Sequence, residues 1–348
     1  MSNQKAINIA VLGATGAVGQ KMIETLEDRD FPIKELKLLS SSRSAGSKIT
    51  FKGTEYTVEE AKPESFEGVD IALFSAGGSI SKKLAPEAVK RGALVIDNTS
   101  AYRMDPEVPL VVPEVNEADI KTNNGIIANP NCSTIQMVAA LKPLEDKYGL
   151  KRVLVSTYQA VSGAGNEAVD EMNEQSKAML NGEEYEASIL PVKGDEKHFP
   201  IAFNALPQID VFEDDGYTFE EKKMMNETKK IMHMDNLPVS ATCVRLPIAV
   251  SHAESVYVEI DEEKVDVPAF KEVIASGDGV TLQDNPSEQE YPTPLSAAGK
   301  KDVFVGRIRK DPDVDNGFHM WVVSDNLLKG AAWNSVQIAE KVVKNNWL

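Results

Sequence analysis

Ile7-Asn8-Ile9-Ala10-Val11-Leu12-Gly13-Ala14-Thr15-Gly16-Ala17-Val18-Gly19 runs from an apolar, β-branched strand signal into three glycines spaced G-x-x-G-x-x-G. Glycines in such a turn let a pyrophosphate approach the backbone, and its charge then lies at a helix N-terminus. The helix comes from Val18, Met22 and Leu26, apolar at i, i+4 and i+8. A glycine-rich helix entry without a ligand has the same spelling. The strand before it and the amphipathic helix after it favour a dinucleotide. Strand signals recur at Glu35–Leu39, Val69–Ser75, Ala93–Asp97 and Leu110–Pro113. Repetition of strand, helix and strand at this length predicts a doubly wound parallel sheet, the Rossmann type of α/β fold.

The end of the second strand bears on which dinucleotide. NAD sites usually close that strand with a carboxylate for the ribose 2′-hydroxyl. Here Leu38-Leu39-Ser40-Ser41-Ser42-Arg43-Ser44 offers no acid, and one guanidinium among hydroxyls suits a 2′-phosphate. NADP is the expected cofactor, with Arg43 and Ser44 as its contacts; the alternative is a plain polar turn.

Beyond residue 150 the texture changes. Arg152–Gln159 and Val239–Arg245 alternate, and Ser255–Ile260 follows the second closely, as antiparallel strands would. An α+β domain with a mainly antiparallel sheet is expected at 131–327, after a cofactor domain at 1–130. Leu328, Ala332, Ser335, Ala339 and Val342 return to helical spacing, and that helix (328–348) is expected to pack back on the first domain. Gly277–Pro294 reads as a surface loop. No repeat or low-complexity tract interrupts the chain.

Two domains agree with 348 residues. Lys and Arg total 37 against 54 Asp and Glu, a net charge of −17. That balance opposes binding to nucleic acid or to an anionic membrane surface. No apolar run reaches the roughly 20 residues of a membrane span, and Met1–Ala6 is polar without a signal-peptide pattern, so the expected compartment is the cytoplasm. A chain there has no need of a disulfide between its two cysteines.

Asn129-Pro130-Asn131-Cys132-Ser133-Thr134 precedes a helical stretch through Val138, Leu141 and Leu144. With Asn131 as N-cap, Cys132 falls in the first turn, where the macrodipole favours thiolate. Most free cysteines are small buried hydrophobes. That description fits Cys243, in mid-strand, and not Cys132, whose neighbours are polar. Four histidines, His198, His233, His252 and His319, are available for acid–base work near neutrality; on the residues alone His252 and His198 both stay open. Four scattered histidines and two distant cysteines provide no metal-ligand spacing.

With these segments read, the chain resembles the aspartate-semialdehyde dehydrogenase family, in its Gram-positive-type bacterial form, over essentially its whole length. The resemblance is carried by Gly13–Gly19, Asn98-Thr99-Ser100 with Arg103, Asn129–Thr134, Tyr158–Gly165, His198–Asn204, Arg245 with His252, and Ser324–Leu327. It implies NADPH-dependent reductive dephosphorylation of L-aspartyl-4-phosphate to L-aspartate-4-semialdehyde, on the route to lysine through diaminopimelate, methionine, threonine and isoleucine. It also implies a dimer built through the second domain, a tetramer being the alternative.

The same resemblance assigns roles. Cys132 is the nucleophile that forms a thioester, His252 the acid–base residue, and Gln159 the residue that holds the substrate beside the cysteine. Arg245 binds the substrate carboxylate, where position alone would allow a strand-end guanidinium reaching for water. Arg103, Lys223 and Asn131 are the phosphate contacts. Thr218-Phe219-Glu220-Glu221 reads as a capping box through Glu221. Spacing alone makes Glu220 and Lys223 a solvated i,i+3 pair; the resemblance gives Glu220 the substrate ammonium. Cofactor contacts are Gly13, Thr15, Gly16, Ala17, Val18, Arg43, Ser44, Ser162, Gly163 and Asn326.

Two enzymes are the rivals. N-acetyl-glutamyl-phosphate reductase shares the Cys–His chemistry but acts on an acylated amine and has no use for Glu220. Glyceraldehyde-3-phosphate dehydrogenase commonly takes NAD and spells its cysteine segment differently. A catalytically inactive NADP-binding scaffold is the reading from another class, and Cys132, Gln159, Arg245 and His252 together speak against it.

Overall fold

A computed structural model describes residues 6–262 and 264–348. Of the polar opening stretch Met1–Ala6, only Ala6 lies within them. The chain forms two compact units, Met1–Asn131 with Ala331–Leu348, and Cys132–Gly330.

The strands of the first unit are β1 (Ile7–Leu12), β2 (Ile33–Ser40), a hairpin β3 (Lys48–Phe51) and β4 (Thr54–Thr57), then β5 (Glu59–Glu60), β6 (Ile71–Phe74), β7 (Leu94–Asp97) and β8 (Ile126–Ala128). Four of the five expected strands are among them, as β1, β2, β6 and β7. Six of them make one sheet in the order β5-β2-β1-β6-β7-β8, with every pairing parallel. Parallel neighbours require crossovers. Helix α1 (Ala17–Asp28) and α2 (Gly78–Lys90) supply two of them.

Alternation along β1 divides the core. Ile7, Ile9 and Val11 pack on one side with Met22 and Leu26 of α1. Ala10 and Leu12 pack on the other with Leu84, Ala85 and Ala88 of α2. The chain's last helix, Trp333–Lys344, contributes Val336, Ile338, Ala339 and Val342 to the α1 side.

One expected strand does not form. Leu110–Pro113 makes a single bridge, Leu110 to Ala128, and the sixth strand of the sheet is Ile126–Ala128 instead. Pro109 and Pro113 remove two donors from any ladder there. Asn116 takes up two further groups, accepting from the Val112 amide and donating to the Leu110 carbonyl. Pro113 opens a one-turn helix, α3 (Pro113–Asn116).

The second unit begins with helix α4 (Cys132–Tyr148) and continues through β9 (Leu150–Gln159), α5 (Asn166–Asn181), α6 (Phe219–Met232), β10 (Val239–Arg245) and β11 (His252–Ile260). After them come α7 (Val267–Ala275), β12 (Val280–Leu282), the one-turn α8 (Pro294–Ala297), β13 (Val303–Lys310) and β14 (Gly317–Ser324). The sheet order is β10-β9-β11-β14-β13-β12.

Its three central pairings are antiparallel, as expected, and both edge pairings are parallel. Two expectations are corrected here. Val239–Arg245 runs parallel to β9, because the long excursion through α5 and α6 returns the chain to the end of the sheet from which β9 started. β11 then enters between β9 and β14 rather than beside β10. The stretch Gly277–Pro294 is not all loop, since it contains the edge strand β12. The segment Leu328–Val343 opens with a wider π-type turn, Leu328–Ala332, before α9 (Trp333–Lys344).

Candidate active site

The glycine loop of the first unit depends on two of its glycines. Gly13 has φ +88°, and a Cβ there would lie 2.8 Å from the Ser75 carbonyl oxygen. A Cβ on Gly19 would lie 2.0 Å from the Gly13 carbonyl oxygen, so α1 can close on the loop only without one. The result is an open, backbone-lined helix entry: Gly16 is the N-cap of α1 and exposed, and Thr15, Ala17 and Val18 are half-buried. Thr15 Oγ1 meets Ser40 Oγ at the end of β2 at 2.9 Å. Beyond Ser40 the chain turns through Ser41–Ala45 with Arg43 exposed and Ser44 half-buried. No carboxylate ends β2. These residues fit a phosphorylated dinucleotide.

Arg103 is buried in the same unit, its Nε donating to the Asn129 carbonyl at 3.0 Å and Nη2 to the Asn98 carbonyl at 2.9 Å. Around it runs a ladder the sequence reading missed. Asn129 Nδ2 donates to Asn98 Oδ1 at 2.7 Å, and Asn334 Nδ2 donates to Asn129 Oδ1 at 2.8 Å. Asp97 lies beneath it, its carboxyl pushed up by burial against hydrogen bonds from Thr99 and Ser81. Asn131 is buried at the end of this unit.

In the second unit the chemistry gathers at one end of the sheet. Cys132 is the first residue of α4 and half-buried, where the macrodipole favours an anionic sulfur. His252 opens β11, fully buried, with Nε2 3.1 Å from Cys132 Sγ. Its Nδ1 accepts a hydrogen bond from the Ala160 amide at 3.0 Å. Burial, with the Arg245 charge second, lowers its pKa to about 3. His198 is elsewhere, bonded through Nε2 to the Val192 carbonyl. Cys243 is buried in β10 beside Met224, and burial pushes its thiol well up.

Arg245 ends β10, buried, with Nη1 donating to the Ala160 carbonyl at 2.8 Å. Its Nε–H finds no acceptor among the described residues. Gln159, at the end of neighbouring β9, is held at both ends of its amide: Thr157 Oγ1 donates to its Oε1, and its Nε2 donates to Glu220 Oε1, each at 3.0 Å.

Glu220 stands in the first turn of α6, and the capping box there is formed as read. Thr218 N–H donates to Glu221 Oε2 at 2.7 Å, and Glu221 N–H donates to Thr218 Oγ1 at 3.3 Å. Lys223 Nζ lies 3.1 Å from Glu220 Oε2 and 2.8 Å from Asp210 Oδ2, an acidic partner the sequence did not announce. With Glu220 buried, this is no solvated surface pair.

Ser162 and Asn326 form a third cluster. Asn326 Nδ2 donates to Ser162 Oγ at 3.0 Å and its Oδ1 accepts from the Ser251 amide at 2.8 Å, one residue before His252. Gly163 is exposed, and a Cβ on it would sit 3.1 Å from Arg245 Nη1 and 3.6 Å from His252 Nε2. Two further polar residues escaped sequence reading because nothing local distinguishes them. Glu254 is fully buried on β11 with neither carboxyl oxygen hydrogen-bonded among the described residues, and burial holds its pKa well above the usual range, against the nearby Gln136 amide. Gln136 Nε2 reaches the His252 and Val322 carbonyls at 3.4 Å.

The comparisons agree with this anatomy. Residues 8–123 match the model of the semialdehyde dehydrogenase NAD binding domain, and residues 141–329 that of the semialdehyde dehydrogenase dimerisation domain. The aspartate-semialdehyde dehydrogenase of Bacillus subtilis (strain 168) is 70% identical over 98% of this chain and 99% of its own. This chain belongs to the aspartate-semialdehyde dehydrogenase family.

The family's enzyme from Aquifex aeolicus (strain VF5) is 56% identical over 97% of this chain and 98% of its own. Among solved structures, aspartate semialdehyde dehydrogenase II from Vibrio cholerae, in a complex with ASA, has a TM-score of 0.93 at 46% identity, covering 98% of this chain and 99% of that one. The enzyme from Candida albicans, solved with NADP, has a TM-score of 0.76 at 27% identity, covering 99% and 100%. Among the described residues no helix is long and apolar enough to cross a membrane, and no cluster of three or more His, Cys, Asp or Glu could hold a metal ion.

Proposed function

We propose that this chain reduces L-aspartyl-4-phosphate with NADPH to L-aspartate-4-semialdehyde and phosphate through a thioester on Cys132, a step toward lysine, methionine, threonine and isoleucine. The observation that carries it is the 3.1 Å contact between Cys132 Sγ and His252 Nε2, in a chain of this family.

An acyl phosphate is a poor hydride acceptor, and a thioester divides the reaction into easier steps. Cys132 Sγ bonds to the acyl carbon while the carbon–oxygen bond to phosphate breaks, the electron pair leaving with phosphate. Arg245 provides a planar fork for the α-carboxylate. Glu220 receives the ammonium, Gln159 keeps the acyl group at the sulfur, and His252 serves the carbonyl oxygen. Arg103, Asn131 and Lys223 are the proposed phosphate contacts. NADPH, when bound, supplies the hydride; Gly13, Thr15, Gly16, Ala17, Val18, Arg43, Ser44, Ser162, Gly163 and Asn326 are the residues proposed to hold it. Collapse of the thiohemiacetal on Cys132 breaks the carbon–sulfur bond and frees the aldehyde.

The working form is a homodimer, or a homotetramer built from it, in the cytoplasm. The outer face of the second sheet, with Ser156, Tyr158, Ser255, Tyr257 and Trp321 half-buried, supports pairing through this unit.

Phosphate-dependent reduction of NADP⁺ by L-aspartate-4-semialdehyde tests the reading, with NAD⁺ and N-acetyl-glutamate semialdehyde in parallel. A fast signal that needs phosphate, with the first pair alone, is expected. Activity with the acetylated aldehyde only would move the chain to the reductase rival.

A further inference from the structure

Asn334 is the second residue of α9 and is fully buried in the first unit, the unit that also holds Arg103. Its side-chain nitrogen has two acceptors, the Val111 carbonyl at 3.0 Å and Asn129 Oδ1 at 2.8 Å. A main-chain carbonyl can only accept, so Val111 fixes which end of the Asn334 amide faces it. That orientation passes along a line of amides. Asn129 turns its oxygen to Asn334, which leaves its nitrogen to donate to Asn98 Oδ1 at 2.7 Å. One carbonyl sets the direction of three side chains.

The same two asparagines hold Arg103 through their main chain. Arg103 Nε donates to the Asn129 carbonyl at 3.0 Å and Nη2 to the Asn98 carbonyl at 2.9 Å. These two nitrogens lie along one edge of a rigid planar fork, so the plane of the guanidinium follows the two carbonyls. The carbonyls belong to residues 31 apart in the chain, past the ends of β8 and β7, and the side-chain bond between Asn129 and Asn98 ties them together. Asn129 and Asn334 are fully buried and Arg103 nearly so. A satisfied polar network in such surroundings holds a single geometry, because breaking one link leaves a buried amide without a partner.

We infer that Asn334 is a positioning residue for Arg103, acting through the amides of Asn129 and Asn98 to aim the guanidinium at the phosphate of the substrate. The inference rests on the reading of Arg103 as a phosphate contact. It gives the last helix a part in substrate binding as well as in the core. Recognition of a phosphate by a guanidinium depends on the angle of its fork, and that angle is what the line of amides fixes.

The test runs the full-length enzyme in the direction that consumes inorganic phosphate, with L-aspartate-4-semialdehyde and NADP⁺. Asn334→Leu keeps the approximate volume of the amide and removes its donors. It should raise the KM for phosphate roughly tenfold or more, the scale on which a misplaced binding group is felt, with the KM for the semialdehyde and the NADP affinity near wild type. Arg103→Lys should raise the same constant, since an ammonium cannot reproduce the fork, and adding Asn334→Leu to it should change little. A wild-type phosphate KM in Asn334→Leu would overturn the inference. So would effects that multiply in the double variant, as an unspecific structural defect would give. Asn98→Ala breaks the ladder from its half-buried end with α9 untouched. It should reproduce the rise in phosphate KM, and an unchanged value there would overturn the inference even if Asn334→Leu fails to fold.

A second readout needs no turnover. In protein carrying ¹⁵N-arginine, the Nε–H signal that vanishes in Arg103→Lys should exchange with solvent at least about tenfold faster in Asn334→Leu and in Asn98→Ala. Unchanged protection would overturn the inference whether or not the semialdehyde is a substrate. Loss of all turnover with the exchange accelerated as expected would count against the proposed reaction and leave the ladder standing. A phosphate KM indifferent to Arg103→Lys would remove Arg103 from the phosphate site and overturn the inference through the reading beneath it.

Discussion

At the scale of single residues, the proposed site is built from buried polar side chains. Arg245 retains an Nε–H without an acceptor among the described residues, and Glu220 shares its carboxylate between Gln159 and Lys223. Burial of an unsatisfied donor is costly, and the proposed substrate's carboxylate would offset that cost at Arg245. Cys132→Ser is expected to abolish turnover while leaving NADP binding intact, because the hydroxyl is a far weaker nucleophile at the same position; initial rates alongside cofactor fluorescence check it. Wild-type turnover in that variant would remove the thioester from the mechanism. His252 and His198 were both open from the residues alone, and a 120-residue loop between Cys132 and His252 is closed only by the fold.

At the scale of elements, short-range rules read well where a local device sets the structure. The capping box at Thr218 and Glu221 is one case. Thr218→Ala should lower stability by about 1 kcal/mol and loosen Glu220 with the helix start, seen as a lower Tm and a raised KM for the semialdehyde. The glycine loop is another. Gly19→Ala would force a β-carbon to 2.0 Å from the Gly13 oxygen, so α1 must shift and NADP binding should be lost; unchanged affinity by titration calorimetry would contradict this. Elements defined by distant partners were harder. Alternation in Val239–Arg245 reports which side chains are buried and says nothing of the direction of the neighbouring strand, which the excursion through α5 and α6 made parallel. Leu110–Pro113 has strand composition, but flanking prolines and Asn116, which binds the Val112 amide and the Leu110 carbonyl, leave it only a single bridge to the sheet.

For the molecule as a whole, chain order and spatial order part company at the C-terminus. Residues 331–348 belong to the first unit, and Val336, Ile338, Ala339 and Val342 of α9 are buried in its core. Truncation after residue 332 removes those side chains at a cost on the order of 5 kcal/mol, comparable to the entire stability of many domains. The expected outcome is loss of the first unit's cooperative melting and of NADP binding.

Stability should also depend on pH from two sides. His252 titrates near 3 in the folded protein against 6.5 when unfolded, so between those values only the unfolded chain takes up the proton and stability falls as pH drops. Glu254 acts in the opposite sense. Its folded pKa stands well above 4.5, so above that value the unfolded chain loses a proton that the folded one retains, and stability declines as pH rises. Glu254→Gln should therefore be indistinguishable from wild type near pH 4 and more stable at pH 8 in urea melts. An equal effect at both pH values would mean that Glu254 is charged in the fold.

The sequence by itself determined the cofactor fold, the absence of a carboxylate at the end of β2, the place of Cys132 in the first turn of a helix, and the capping box. Each depends on residues within a turn or two of one another, where sterics, caps and helix periodicity act. The tertiary structure alone decided the contact of Cys132 with His252, the Arg245 Nε–H that has no acceptor among the described residues, the buried Glu254 and the direction of β10. These depend on contacts between segments far apart in the chain, and on desolvation, which has no magnitude until the core closes around a group.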